Sequence, residues 1–215
     1  MKQGGRYDTA GLEENEYEPS SNNSVLKNLC GITTVAGMEL AETLALLQTT
    51  EKMFDLFDQD HRFTADDICS MHRAWLGCIY SWAGRYRQVM MSKSGFPFVA
   101  PAFIQQLMAE FEKEALAHHT PCHGDDDAVA QSLAVVHVEL VLIHPFREGN
   151  GRLARLLAML MGLQAGLPML VFDEMEGKRR ETYFAAIRAG LERDYVPMET
   201  IFKRIIEQSW SEEQR

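Results

Sequence analysis

A polar segment at residues 144–152, enclosed by two apolar runs, constrains the fold more than any other feature of the sequence. On both sides apolar residues recur at spacings of three and four: Val129, Leu133, Val136, Leu140 and Ile143 before the segment, and Leu153, Leu156, Leu157, Leu160 and Leu163 after it. Such spacing places the apolar side chains on one face of a helix. The sequence therefore predicts two buried helices joined by a tight polar loop.

The composition of this loop suits a negatively charged ligand. It combines a histidine, a carboxylate, an asparagine between two glycines, and two arginines, namely His144, Glu148, Gly149, Asn150, Gly151, Arg152 and Arg155. Unpaired N–H groups and the helix dipole attract anions to the first turn of a helix, and glycines let a phosphate approach the backbone. Arginines add charge-assisted hydrogen bonds. We therefore expect an anion site where the second helix begins.

The string His-Pro-Phe-x-Glu-Gly-Asn-Gly-Arg-x-x-Arg at residues 144–155 resembles the active-site motif of the Fic (Fic/Doc, Fido) family, and every defining position is filled. So many specified residues in one short window make the match specific. The resemblance implies an all-α helical bundle with a short β-hairpin flap over the active site. It also implies a protein adenylyltransferase, which moves AMP from Mg-ATP to a Ser, Thr or Tyr hydroxyl of a target protein.

The resemblance gives each motif residue a role. His144 is expected to be the catalytic base, since imidazole accepts a proton near neutral pH. Glu148 is expected to bind Mg²⁺, a cation that prefers oxygen ligands. The ATP phosphates are expected to contact Gly149, Asn150, Gly151, Arg152 and Arg155. Within this set, the Asn150 side chain is expected on the α-phosphate and the two arginines on the β- and γ-phosphates.

Two regions outside the motif also resemble the family. A flap is expected at about residues 90–98, where Trp82-Ala83-Gly84 and Phe98 match best, and its target-binding part would be Ser94, Gly95 and Phe96. Strand-like pairing along such a flap is a known way to hold an extended peptide. Tyr183 resembles a position beside the adenine pocket. The alternative for the flap is an ordinary connector that covers the core. The alternative for Tyr183 is an aromatic residue on the apolar face of an amphipathic helix.

The rest of the chain predicts one domain with an appended arm. Residues 1–24 are polar and acidic and predict a mostly irregular arm, whereas residues 25–215 predict a single domain with its active-site loop at 144–152. Helices are expected at about residues 37–57, 65–80, 102–117, 126–143, 151–166, 178–191 and 197–210. Thr64-Ala65-Asp66-Asp67 has the pattern of a capping box, which predicts that a helix starts there.

Charge and cysteine content limit the partners. The formal net charge of -10 argues against nucleic acid and anionic membranes as partners, although a local basic pocket can still bind a nucleotide. Residues 1–8 lack the apolar core of a secretory signal, which predicts a cytoplasmic protein. The four cysteines show no paired spacing and predict free thiols. A zinc site around Cys122 is the weaker alternative to a solvated loop.

Two other functions remain open from the sequence. Doc-like protein kinases carry a lysine where this chain has Gly151, so the glycine favours AMP transfer. A catalytically idle Fic-fold binding or regulatory module is the other alternative. Inhibitory helices of the family carry Ser/Thr-x-x-x-Glu followed by Gly or Asn, and the matches ending at Glu13 and Glu213 lack that last residue. We therefore expect a separate antitoxin-like inhibitor, with this chain as the toxin half of a pair, and Glu213 as second choice.

Overall fold

The computed structural model describes residues 11–93, 95–173 and 179–214, which are mainly helical. The helices are α1 (Val35–Leu56), α2 (Ala65–Leu76), α3 (Pro101–Phe111), α4 (Ala117–His119), α5 (Asp126–Ile143), α6 (Asn150–Gln164), α7 (Arg180–Ala189) and α8 (Val196–Glu213). A π-helical turn, Glu112–Leu116, joins α3 to α4, and 3-10 turns cover Glu13–Asn15 and Gly190–Glu192. Strands β1 (Ser92–Lys93) and β2 (Phe96–Pro97) form an antiparallel hairpin. The predicted all-α class with one hairpin is confirmed.

Helix α5 lies at the centre of the bundle. It packs against α6 and α8, and also against α3 and α7. The five apolar residues that predicted it are all buried, and so are residues on its other faces, such as Ala130, Val138 and Val141. A helix whose buried apolar residues extend beyond one face needs neighbours on more than one side. Because α5 ends at Ile143, this core fixes the position of the next residue, His144.

Local hydrogen bonds explain where the helices around the site begin. Thr64 and Asp67 form the predicted capping box, with the Thr64 hydroxyl accepting from the Asp67 N–H at 3.1 Å. Asp125 caps α5 by accepting from the Ala128 N–H at 2.9 Å. Helix α2 ends at Leu76, four residues before the predicted Tyr80, because the N–H groups of Ile79 and Tyr80 turn back onto the Leu76 carbonyl.

Helix α1 has apolar residues on two faces. Its inner face buries Met38 and Met53, together with the carboxylate of Glu42. On the outer face Leu40, Leu44 and Leu47 are between 52 and 60% exposed. Within the described ranges, no helix is both long and apolar enough to cross a membrane. All four cysteines are free thiols.

The described part of the N-terminal arm packs against the motif loop. Glu14 is buried, and one of its carboxylate oxygens accepts from the Gln88 N–H at 2.5 Å. The Glu14 carbonyl accepts from Arg147 Nε at 2.9 Å, and Arg147 also reaches the Tyr17 hydroxyl at 3.4 Å. Arg147, the variable position of the motif, therefore anchors the arm to the loop.

Candidate active site

The backbone at His144 turns sharply out of α5. His144 has φ 52° and ψ 58°, the left-handed conformation, and its N–H closes the helix on the Leu140 carbonyl at 3.1 Å. Its Nδ1 lies 3.2 Å from the carbonyl oxygen of Val141. Because a carbonyl can only accept, Nδ1 carries the hydrogen and Nε2 keeps its lone pair. The imidazole therefore presents a proton acceptor at Nε2.

Phe98 covers one face of the imidazole. The two rings are stacked with their centroids 3.6 Å apart and an angle of 11° between them. The loss of hydration lowers the pKa of His144 to about 4, and the nearby cations Arg87 and Lys93 act in the same direction. A hydrogen bond to the Val141 carbonyl opposes this shift. His144 is therefore neutral at pH 7, as a proton acceptor has to be.

The loop after His144 is held by the side chain of Asn150. Asn150 is buried, and its amide oxygen accepts from the Phe146 N–H at 2.9 Å while its amide nitrogen donates to the Phe146 carbonyl at 2.8 Å. These two hydrogen bonds hold the loop, whereas the expected contact of this side chain with the α-phosphate stays a prediction. Asn150 closes the loop with one of the two hydrogens of its amide nitrogen, and the second hydrogen is left as a donor for an anion.

The two glycines of the loop differ in their surroundings. Gly149 has φ 84°, and a Cβ there would lie 2.6 Å from the ring of Trp75. Gly151 is the second residue of α6, and a Cβ there would meet no atom within 4 Å. Open space beside the first turn of a buried helix is what an approaching phosphate requires. Gly149 thus serves the packing of the loop, whereas Gly151 leaves room above it.

Arg152 is held by more partners than the sequence indicated. Its guanidinium lies 2.5 Å from a carboxylate oxygen of Glu42, 3.3 Å from Glu148 Oε1, and 4.7 Å above the ring of Trp75. Glu42 is itself buried and also accepts from the Tyr80 hydroxyl at 2.7 Å. Sequence analysis missed Glu42, because a carboxylate on α1 carries no motif. This ion pair joins α1 to the motif helix α6.

Glu148 has the chemistry and exposure that a magnesium ligand needs. Its side chain is 43% exposed, and Oε1 accepts from the Gly149 N–H at 2.9 Å. Oε2 has no hydrogen bond to the described residues. Nowhere in the described ranges do three or more His, Cys, Asp or Glu side chains form a group that could hold a metal. One carboxylate fits Mg²⁺, which commonly takes its other oxygens from phosphate and water.

A cavity of about 650 Å³ brings most of the predicted site together. The predicted residues that line it are His144, Glu148, Gly149, Asn150, Gly151, Arg152, Arg155, Tyr183 and Phe96. Gly95 lies at the hairpin turn and does not line the cavity, and Ser94 falls outside the described residues. A volume of this size suits a small organic ligand.

The walls of the cavity separate charged from apolar surface. Six cations line it, namely Lys93, Arg147, Arg152, Arg155, Arg180 and Arg188, whereas Glu148 is the one lining carboxylate in the described part of the chain. Lys93 and Arg180 lie 5.4 and 5.3 Å from the ring centroid of Phe184. Tyr183 and Ile187 of α7 add apolar surface. The cavity is thus cationic although the chain as a whole is acidic.

His72 supports the loop from the side of α2. Its Nδ1 accepts from the Gly84 N–H at 2.8 Å, so its Nε2 carries the hydrogen and donates to the Glu148 carbonyl at 3.1 Å. The ring also stacks on Phe146 at 3.9 Å. Sequence reasoning gave His72 no role, since a lone histidine in a helix is no signal. Both ring nitrogens are used to hold the chain in place.

Buried histidines make the fold sensitive to acid. Burial lowers the pKa of His72 to about 4 and that of His137 to about 3, and His144 has a pKa of about 4. The unfolded chain, with histidine pKa values near 6.5, binds these protons more readily. The stability that the three groups contribute is therefore complete above about pH 6.5 and is lost as pH falls towards 4. Each of the three histidines changes the free energy of unfolding by up to ~1.4 kcal/mol per pH unit in this range.

We therefore expect the free energy of unfolding, measured with urea at pH 7.5, 6.5, 5.5 and 4.5, to fall progressively below pH 6.5. Replacing the exposed His118 with asparagine should leave the curve unchanged. Equal stability at pH 7.5 and 5 would contradict the buried, neutral state of these histidines.

A second prediction concerns the ion pair of Glu42. Glu42→Gln keeps the shape and an acceptor for Tyr80 but removes the charge that balances Arg152. We expect a loss of about 2–3 kcal/mol in the free energy of unfolding, since Arg152 is only partly exposed and keeps Glu148. Glu51→Gln, on an exposed position of the same helix, is the matched control. Equal urea midpoints for the two variants would show that the pair contributes nothing.

A neutral histidine, a cationic cavity at the start of a buried helix, and a hairpin beside both form a site whose charge and size suit a phosphorylated ligand. Residues 62–161 match the sequence model of the Fic/DOC family. The match includes the motif at residues 144–155 and confirms the resemblance to this family that the motif indicated.

Curated relatives extend the match beyond that region. The protein adenylyltransferase fic-1 of Caenorhabditis briggsae is 32% identical over 140 residues, covering 63% of this chain and 25% of the relative. The protein adenylyltransferase Fic of Drosophila ananassae is 27% identical over 201 residues, covering 89% and 37%. That of Nematostella vectensis is 26% identical over 205 residues, covering 94% and 46%. The chain thus spans between a quarter and a half of the length of these relatives.

Solved structures share the fold over nearly the whole chain. BepC, a VirB-translocated effector of Bartonella tribocorum with bound AMPPNP, has a TM-score of 0.73 at 22% identity, covering 91% of this chain and 97% of that one. The N-terminal Fic domain of a Bartonella quintana cell filamentation protein with bound ADP has a TM-score of 0.70 at 25% identity, covering 90% and 95%. These similarities establish a Fic-type helical bundle.

Proposed function

We propose that the protein is a nucleotidyltransferase that moves AMP from ATP to a Ser, Thr or Tyr hydroxyl of a target protein. The observation that carries this proposal is the placement of His144, a neutral base, on the same cavity as the open Gly151 and the arginines of α6. The relatives named adenylyltransferases support it, as do the nucleotides bound to the two Bartonella structures.

His144 acts as the base of the transfer. Its Nε2 accepts the proton of the target hydroxyl while the hydroxyl oxygen attacks the α-phosphorus of ATP. The new bond from oxygen to the α-phosphorus forms as the bond between that phosphorus and the α–β bridging oxygen breaks. Pyrophosphate leaves with the bridging oxygen, and AMP stays on the target. The Val141 carbonyl keeps the ring in the tautomer that this step needs.

The phosphates are assigned to the cationic end of the cavity. The backbone N–H of Gly151, at the start of α6, offers a donor, and Arg152 and Arg155 supply positive charge. Glu148 would hold Mg²⁺ with one carboxylate oxygen. When bound, Mg²⁺ neutralises charge on the phosphate oxygens. Arg152 contributes less charge than an unpaired arginine would, because Glu42 already balances it.

The adenine and the target are assigned to the remaining walls. The apolar surface of Tyr183 and Ile187 on α7 provides a slot for the base, and the Tyr183 ring is fixed by a hydrogen bond of 3.0 Å between its hydroxyl and His137 Nε2. The target segment is assigned to the hairpin, whose residues Ser92, Lys93 and Phe96 line the cavity near His144. Strand-like pairing there would bring a hydroxyl to Nε2.

The test is to follow ATP labelled at the α- or the γ-phosphate, with Mg²⁺ and a cell extract as the source of targets. We expect label on protein from α-labelled ATP, lost with His144→Ala. Label from the γ-phosphate alone would instead indicate a Doc-like protein kinase. No label above background from either, in the protein and in the variant alike, would indicate a binding or regulatory module.

We also propose that a separate small inhibitory protein restrains the enzyme, as in a toxin–antitoxin pair. The exposed leucines on α1 support this proposal, since α1 touches Arg152 through Glu42 on its opposite face. The competing source of restraint is Glu213, at the exposed end of α8. A Glu213→Gly variant should transfer AMP to its own side chains at the same rate as the unaltered protein does. A rise of tenfold or more in that rate would show that Glu213, and not a separate protein, inhibits the enzyme.

A further inference from the structure

We propose that Arg87 is a positioning residue that holds the hairpin and the catalytic histidine in a fixed relation to each other. Nothing in the motif predicts this role, since Arg87 lies 57 positions before His144. Its consequence for turnover rests on the proposed AMP transfer, whereas its effect on the hairpin does not.

The guanidinium of Arg87 joins three pieces of backbone. Nε donates to the His144 carbonyl at 2.7 Å, one terminal nitrogen donates to the Val89 carbonyl at 2.7 Å, and the other donates to the Val99 carbonyl at 2.6 Å. The Arg87 N–H also donates to the Pro145 carbonyl at 2.9 Å. Val89 precedes β1 and Val99 follows β2, so both stems of the hairpin are tied to the residue that carries the base.

Burying the charged guanidinium of Arg87 costs free energy, so its hydrogen-bond partners have to be well placed. Arg87 is 1% exposed and forms no ion pair with the described residues, although the charge of Glu14 acts on it from further away. A buried charge without such a partner is tolerated only when polar groups satisfy it. Burial lowers the pKa of Arg87 to about 10, which leaves it protonated at pH 7. Its planar fork reaches three carbonyls in different directions, which the single ammonium of lysine cannot do.

The hairpin needs an anchor of this kind. Each strand has two residues, and a two-stranded hairpin of that size is only marginally stable alone. Phe98, which stacks on the His144 ring, directly precedes Val99. His144 also holds a left-handed backbone, which costs about 1–2 kcal/mol in a residue with a side chain. By fixing the His144 carbonyl and the Val99 carbonyl together, Arg87 sets where Nε2 lies relative to a segment bound along the hairpin.

Arg87→Lys and Arg87→Met test this role in the full chain. The matched control is Arg85→Met, because Arg85 lies two residues earlier on the surface and has a side-chain exposure of 61%. We expect the affinity for a non-hydrolysable ATP analogue to stay within about threefold, since the Arg87 hydrogen bonds reach His144 and Pro145 but not Gly151 or Arg152, which are assigned to the phosphates. Label transfer at saturating ATP should fall about 30- to 100-fold in both Arg87 variants, because small misplacements of reacting groups have effects of that size. Arg85→Met should behave as the unaltered protein does.

Amide hydrogen exchange provides a measurement that does not depend on activity. We expect the amides of Phe98 and His144 to exchange at least ~10-fold faster in Arg87→Lys, while that of Leu153 on α6 stays unchanged. Unchanged exchange at Phe98 and His144 would overturn the proposal, as would an equal loss of nucleotide affinity and turnover. If the unaltered protein transfers no α-label, AMP transfer fails as the function, and the exchange comparison still decides the role of Arg87.

Discussion

Replacing His144 with alanine is expected to reduce AMP transfer by about 100- to 10,000-fold while ATP still binds. The reason is geometric: Nε2 of His144 has its lone pair available, and the phosphate loop that follows is held by Asn150 and Glu148 rather than by the imidazole. The measurements are the initial rate of label transfer from α-labelled ATP and the dissociation constant of a non-hydrolysable ATP analogue.

Two controls separate chemistry from folding in that experiment. His118→Ala removes an exposed histidine and should leave both quantities unchanged. His144→Gln keeps a polar side chain of similar reach but cannot act as a base near pH 7, so its rate should match that of His144→Ala. A rate near that of the unaltered protein in either His144 variant would exclude His144 as the base.

The glycines of the loop should respond in opposite ways to the same substitution. Gly149→Ala forces a left-handed backbone on alanine and pushes a methyl group to 2.6 Å from Trp75, so we expect a loss of about 2–4 kcal/mol in stability. For a chain of this length that corresponds to a fall in Tm of about 5–15 °C. Gly151→Ala places its methyl group in open space within a helix, and should raise stability by up to about 1 kcal/mol.

In Gly151→Ala the affinity for nucleotide and the stability should change in opposite directions. Gly151→Ala narrows the approach to the first turn of α6, so its affinity for the ATP analogue should fall although its Tm does not. Thermal unfolding and nucleotide titration on the same samples make the comparison. Equal Tm values for the two variants would contradict the contact of Gly149 with Trp75. An unchanged affinity for the ATP analogue in Gly151→Ala would contradict the assignment of the phosphates to Gly151.

The sequence predicted the parts of the site that a single loop contains. The helix at 126–143, the loop after it and the cavity residues of α6 follow from local periodicity and from a dense motif. Asn150 shows the limit of that reasoning, because its residue type suggested a phosphate contact but did not predict that its amide would hold the Phe146 backbone. Which of two polar partners a side chain takes depends on distances that spacing along the chain does not determine.

The residues that sequence reasoning missed come from distant parts of the chain. Glu42 and Arg87 lie 110 and 57 positions before the residues they hold, Arg152 and His144. Each is an ordinary charged residue in its own segment, and becomes significant only when folding buries it against the loop. Such partners carry no local pattern, so a structure is needed to find them.

The contact of Arg147 with the N-terminal arm has a practical consequence for engineering. Arg147 Nε donates to the Glu14 carbonyl, and the Gln88 N–H donates to the Glu14 carboxylate. A shortened version that started at residue 25 would leave both of these donors without their acceptors, next to the stem of the hairpin. Anyone who grafts the loop into another scaffold, or trims this domain for crystallisation, should keep the arm with it.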